Sequence, residues 1–274
     1  MEEIQKKIQE EIAKKPDIAK KEKCTDSTKV ENNIFRKQKM YTGEKPWIDP
    51  LFEPKKESLC PFNEKEWILP EGNIETDIID WDKFDWARVE EIFRSGYLIY
   101  DDEISIDDII QGRICDCYFL SALGSLCIYP ELVKQLFYSK EITKEHLYGI
   151  YLYIHGKKKL VLVDDYLPCK GEFIRCAMSR SCKNELWVSL IEKAWAKVNG
   201  QYIRIGGGGT INEAFNVLTE AYSEEITIEE INTKDQLWIN TLWTKLVDGE
   251  EKGFIMTAGT RAEYEEFKYK KKKL

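Results

Sequence analysis

Cys117 follows Asp116 and opens an apolar stretch, Tyr118-Phe119-Leu120, whose spacing predicts a helix with Asp116 at its N-cap. A thiol in the first turn of a helix experiences the partial positive charge of that terminus, and unpaired N–H groups point at it. Both effects favour thiolate over thiol, the setting of an activated nucleophile. Six residues upstream stands Gln111, followed by Gly112. A carboxamide there can aim its NH₂ at a developing oxyanion, together with the backbone N–H of the cysteine. Cysteine is also among the most buried residue types, so a structural Cys117 is the competing reading on spacing alone. A thiol nucleophile further requires a base within hydrogen-bond reach, and the sequence holds two histidines, His146 and His155. Both border a strand–turn unit, where a turn position accounts for them. Neither has a sequence reason to stand beside Cys117.

The composition narrows the function classes. The 274 residues are 43% hydrophobic and 12% aromatic, which is ample for a core and excludes wholesale disorder. With 41 Lys+Arg against 49 Asp+Glu the net charge is −8, a poor match to nucleic acid, which demands clustered cations. The apolar runs, such as 149–154, are too short to span a bilayer, and the polar start has no signal-like core. The expectation is a soluble, cytoplasmic protein. Eight cysteines occur without a CxxC pair, so reduced thiols are expected rather than a zinc site or a disulfide framework. The run 206–209 is glycine throughout, but no strand–GxxxxGK–helix pattern surrounds it, which argues against a phosphate loop.

The elements that must position these residues follow from periodicity. Residues 1–45 are Lys/Glu-rich and read as a solvated, partly helical extension. From Pro46, aromatics including Trp47, Phe52 and Trp86 arrive among prolines and acids, as in a segment strapped over a core, and 80–94 reads as helix. Helices are expected over 117–137, 185–199 (with Gly200 just beyond its end), 212–222 and 235–247, the last stopping near Gly249. Strands are expected over 148–154 and 160–163, joined by a turn through 155–159, and over 254–257.

The stretch Gln111-Gly112-Arg113-Ile114-Cys115-Asp116-Cys117-Tyr118-Phe119-Leu120 resembles the signature of calpains, papain-fold cysteine endopeptidases: Gln-Gly, two residues, Gly-Asp-Cys-Trp, then an apolar helix. Further segments resemble the same family in the same order. They are Trp47-Ile48-Asp49-Pro50-Leu51-Phe52, then Val163-Asp164-Asp165-Tyr166-Leu167-Pro168, then Glu185-Leu186-Trp187 with the helix ending Ala194-Trp195-Ala196-Lys197-Val198-Asn199-Gly200, and the glycine loop at 206–210. The resemblance covers about 47–256 and implies a papain-like α+β fold. Residues 46–222 would form a complete, helical first lobe, and 223–274 a truncated start of the β-rich second lobe.

Carried over residue by residue, the resemblance implies Cys117 as nucleophile and Gln111 as oxyanion donor. It implies Gly207 and Gly208 as the loop whose backbone pairs with an extended substrate, and Asp108 and Glu185 as carboxylate ligands of Ca²⁺. An acid before or at the start of a helix is commonplace, so a structural role competes for the last two. Departures accompany the likeness. Cys115 replaces the signature glycine, Tyr118 the tryptophan, and Thr219-Glu220-Ala221 the family's Thr-Gly-Gly. The family's second-lobe Gly-His-Ala and Asn-Pro-Trp-Gly segments have no counterpart here, since no histidine follows His155 and no Asn-Pro occurs.

Two functions are therefore expected to compete. One is a calpain-like endopeptidase core, calcium-regulated and directed at intracellular proteins, which as this isolated chain lacks its general base. The other is a non-catalytic interaction or structural module. Either implies a protein or peptide substrate or partner, and a missing lobe or partner chain to cover the open cleft, without which the purified chain is expected to self-associate.

Overall fold

The computed structural model describes residues 45–60, 84–93, 96–112, 114–170, 180–181, 183–229 and 234–259. The chain divides into two compact units, Met1–Lys45 and Pro46–Leu274, and the second is described here. The Lys/Glu-rich extension, the tail from 260 and the aromatic-rich 61–83 lie outside the described residues.

The strap after Pro46 is irregular apart from one helical turn, α1 (Lys56–Leu59). Where helix was expected over 80–94, the described part is strand β1 (Phe84–Arg88) followed by the short α2 (Val89–Phe93). Phe84 and Trp86 favour a pleated surface, and Arg88 is drawn inward to Asp165 at 2.6 Å, which fixes this stretch as strand. A 3₁₀ turn (Ile106–Asp108) leads into the two-residue β2 (Ile109–Ile110).

The helix expected over 117–137 is two helices, α3 (Cys117–Leu126) and α4 (Pro130–Lys134). Pro130 has no N–H to continue the ladder and holds Tyr129 out of helical conformation, with φ −124° and ψ 82°. Strands β3 (Leu147–Ile154) and β4 (Lys157–Asp164) form the expected hairpin. Its turn is tighter than 155–159: His155 and Gly156, at φ 51° and 67°, make the left-handed two-residue connection that suits strand twist. Strand β5 (Tyr166–Lys170) pairs antiparallel with β1, and β6 (Arg180–Ser181) with β2.

Helix α5 (Trp187–Asn199) is the centre of the core, with ten of its thirteen residues buried. Gly200 closes it at φ +88°, a left-handed C-cap. Phe119 of α3 stacks on Trp195 at 5.6 Å between ring centroids, which ties the two helices together. The polar side of α5 anchors the rest: Lys193 pairs with Asp164 and donates to the Tyr166 carbonyl at 2.6 Å, and Lys197 reaches Asp49 at 2.6 Å. Asp49 N–H in turn donates to Asp164 at 2.8 Å, and Arg88 to the Trp47 carbonyl at 2.8 Å, so buried charges hold the strap down.

Then come α6 (Tyr202–Ile205), α7 (Ile211–Thr219) and α8 (Gln236–Glu251). Helix α8 does not stop near Gly249 as expected but continues to Glu251, and Gly253 at φ +73° turns the chain. Met256 Sδ and the Phe254 side chain lie over Gly249, where a Cβ would stand 3.3 Å from the sulfur. No strand forms over 254–257. The Phe254 N–H instead donates to the Gly249 carbonyl at 2.8 Å, and the Tyr129 hydroxyl to that of Gly253 at 2.9 Å.

Candidate active site

Cys117 is the first residue of α3 and is exposed, so its thiol is accessible rather than structural. Asp116 occupies the N-cap position, but its side chain makes no capping bond. It turns inward, fully buried like Glu192 of α5, and neither carboxyl oxygen finds a partner of regular hydrogen-bond geometry. Burial pushes this carboxyl up to about 6, and the hydrogen-bonding influence of Glu192 works against that rise.

Gln111 sits just after β2. Its Nε2 donates to the Ile114 carbonyl at 3.0 Å, folding the carboxamide back over the loop that leads to Cys117. The same Ile114 supports the glycine loop: a Cβ on Gly206 would collide with Ile114 Cγ2 and stand 3.6 Å from the Cys115 nitrogen. At the far end of the run a Cβ on Gly209 would lie 2.5 Å from the Tyr118 ring. Gly207 and Gly208 are exposed between these two seats, and Gly208 adopts φ +87°, which favours glycine. The fold therefore brings Cys117, Gln111 and the glycine loop onto one patch, joined through Ile114 and Tyr118. Tyr118 is fixed in turn by the Trp195 indole, which donates to its hydroxyl at 3.1 Å, and burial pushes its phenol up to about 12.

Asp108 and Glu185 are both buried, and donors from this chain already hold them. Glu185 Oε1 accepts from Asp101 N–H at 2.7 Å, and Oε2 from the Ser181 hydroxyl at 2.6 Å and the Trp187 indole at 3.3 Å. Asp108 Oδ2 accepts from Ser105 N–H at 2.9 Å in a capping box, and Oδ1 lies 3.6 Å from Lys183 Nζ. Among the described residues no group of three or more His, Cys, Asp or Glu is arranged to hold a metal. With the Lys183 ammonium already placed against Asp101 and Asp108, the cluster as it stands does not fit Ca²⁺, which takes six to eight oxygen ligands.

The two histidines lie in the β3–β4 hairpin turn and just ahead of β3. His155 is at the exposed tip of the β3–β4 hairpin. His146 is buried with Nδ1 2.5 Å from Asp165 and Nε2 3.7 Å from Glu90 Oε1, so both ring nitrogens face carboxylates. Sequence reasoning passed over Lys183, Glu192 and the Trp195–Tyr118 bond. Glu192 lies off the apolar stripe of 187, 190, 191, 194 and 198, so helical spacing does not mark it as buried.

An exposed cysteine at a helix N-terminus, a carboxamide on the adjoining loop and a glycine loop packed on Ile114 and Tyr118 form an arrangement suited to a thiol nucleophile. The sequence matches the model of the calpain family of cysteine proteases over residues 47–274. The chain belongs to that family, and this domain is a calpain-type cysteine protease domain. It is 27% identical to the calpain-type cysteine protease ADL1 of Oryza sativa subsp. japonica, over 90% of this chain and 11% of that protein. It is 28% identical to the calpain-type cysteine protease DEK1 of Arabidopsis thaliana, over 80% of this chain and 10% of that protein. It is also 34% identical to the calpain-1 catalytic subunit of Bos taurus, over 51% of this chain and 19% of that subunit. The chain thus spans about a tenth of the plant relatives' length. Among the described residues no helix is long and apolar enough to cross a membrane.

Proposed function

We propose that this domain is the thiol-bearing half of a peptide-bond-hydrolysing site, with residues 46–222 as the first papain-like lobe and 223–274 as the start of the second. The observation that carries it is the seating of the glycine loop on Ile114 and Tyr118, on either side of Cys117. Cys117 Sγ attacks the carbonyl carbon of a protein substrate. The charge developing on the carbonyl oxygen is met by the Cys117 N–H and Gln111 Nε2. Gly207 and Gly208 offer bare backbone to pair with the extended substrate. The general base that takes the thiol proton and later protonates the leaving amine is not His146, whose nitrogens face Asp165 and Glu90. The 274-residue polypeptide by itself is therefore inactive on proteins, and cleavage depends on a lobe or partner that supplies the base.

The test is labelling with a peptidyl chloromethyl ketone, followed by peptide mapping. Cys117 labels faster than Cys115, which is also exposed, in the folded protein, and the difference disappears in urea. Equal rates for the two thiols in the folded protein would remove the nucleophile assignment. A second reading, a non-catalytic peptide-binding module, is favoured by the same engagement of His146. Under it, Cys117→Ala binds an extended peptide as tightly as the parent, and no added lobe or partner elicits Cys117-dependent cleavage.

A further inference from the structure

The calcium expectation rested on Asp108 and Glu185, and at these residues the structure holds a cation of its own. Lys183 Nζ lies 2.8 Å from Asp101 Oδ2 and 3.6 Å from Asp108 Oδ1, and Glu185 contributes to the field it feels. We propose that Lys183 is the resident cation of the Asp101–Asp108–Glu185 cluster, a positioning residue that fixes the segment leading to Gln111 without a divalent ion. It deepens the thiol-protease reading and rests on it for its consequence at Cys117; the ion pairs themselves do not.

Three carboxylates, two of them buried, require a counter-charge. Each of their six oxygens already faces a donor of this chain. Asp101 Oδ1 accepts from Glu103 N–H at 2.8 Å and Oδ2 from Lys183, while backbone, hydroxyl, indole and ammonium groups take the rest. A carboxylate oxygen can accept an N–H and ligate a metal at once, so the competition is between cations: for Ca²⁺ to sit here, the Lys183 ammonium facing Asp101 and Asp108 would have to leave. Lys183 is itself anchored at its base, where its N–H donates to Ser181 Oγ at 3.2 Å.

The path from this cluster to the site is short and continuous. Asp108 ends the 3₁₀ turn, Ile109 and Ile110 pair with Ser181 and Arg180, and Gln111 comes next. A pull on Lys183 therefore reaches both strands of the β2–β6 pair that deliver the carboxamide. The Lys183 side chain is 42% exposed, so its hold weakens as salt screens it.

The experiment uses the full 274-residue chain, the variants Lys183→Met and Lys183→Arg, and CaCl₂ as the probe. Calorimetric titration of the parent with CaCl₂ is expected to show no stoichiometric binding, and its melting temperature is expected to be the same in CaCl₂ and in EGTA. In EGTA, Lys183→Met melts lower than the parent and Lys183→Arg retains the parent value, with the gap between Met and parent narrowing in high salt. Stoichiometric calcium binding by the parent overturns the proposal, and so does a Lys183→Met melting curve that superimposes on the parent. Should Lys183→Met not fold, the parent titration and the Arg variant still decide the matter. None of these readouts involves the thiol. Failure of the protease reading would show instead in the labelling of Cys117, which is measured separately.

Discussion

The indole N–H of Trp195 donates to the hydroxyl of Tyr118 at 3.1 Å, so the residue directly after Cys117 is pinned to the central helix of the core. Tyr118 stands where the family signature has tryptophan, and its hydroxyl gives Trp195 a buried acceptor that an indole could not. Tyr118→Phe removes that acceptor and leaves the N–H without a partner. The expected cost is about 1–3 kcal/mol, read as a lower urea midpoint at unchanged slope.

Gly206 supports the same patch from the opposite side. Gly206→Ala forces a methyl group into Ile114 Cγ2, and the loop bearing Cys115 must yield or the glycine loop must lift. Destabilisation of about 1–3 kcal/mol is expected from overpacking. Labelling of Cys117 by a peptidyl reagent should slow more than labelling by iodoacetamide, because the loop and not the thiol is disturbed.

Gln111 is expected to separate binding of a tetrahedral adduct from simple thiol reactivity. A peptide aldehyde forms a hemithioacetal with Cys117, and its oxygen occupies the oxyanion position. Gln111→Ala should weaken the aldehyde by about 10²–10³-fold, while iodoacetamide still reacts at near the parent rate. An equal loss with both reagents would place Gln111 in loop structure alone, through its bond to the Ile114 carbonyl.

His146 makes stability depend on pH in a definite direction. Its hydrogen bond to Asp165 raises its pKa above the ordinary histidine value, against the opposing effect of burial. The protonated form is thus favoured in the folded state. The stabilisation is fully present below the unfolded histidine value of about 6.5 and is lost as pH rises through the higher folded value. Urea midpoints of the parent and His146→Gln should therefore differ most in mildly acid buffer and converge on the alkaline side. A gap that widens with pH would reverse the assignment.

Lys193 and Asp164 form a pair with both side chains wholly buried. Lys193→Met leaves Asp164 charged and short of its counter-ion, so a loss of about 3–5 kcal/mol is expected by chemical denaturation. Asp164→Asn in the same background should recover part of it, since the stranded charge is then gone.

The sequence displayed most of what periodicity can display. The hairpin over 147–164, α5 with Gly200 beyond it, and α7 all stand close to where alternation and helical spacing put them. The errors share a physical origin in partners distant along the chain. Residues 84–88 read as helix because the tendency that made them strand is supplied by 166–170. The stretch 254–257 read as strand on composition, yet its apolar groups pack back on Gly249 of the preceding helix. At the candidate site, the placement of Cys117 at the first turn of α3 could be read from helix spacing. The inward turn of Asp116 toward Glu192 could not, because an N-cap aspartate looks the same in sequence whether it caps or not.

Helix α5 carries Glu192 against Asp116, Lys193 on Asp164, Trp195 on Tyr118 and Lys197 on Asp49 within six successive positions. A segment with that many simultaneous obligations has almost no neutral neighbours in sequence space. Random single substitutions should be tolerated less there than at any surface loop of the domain, and drift in descendants of this protein should proceed around the helix rather than through it.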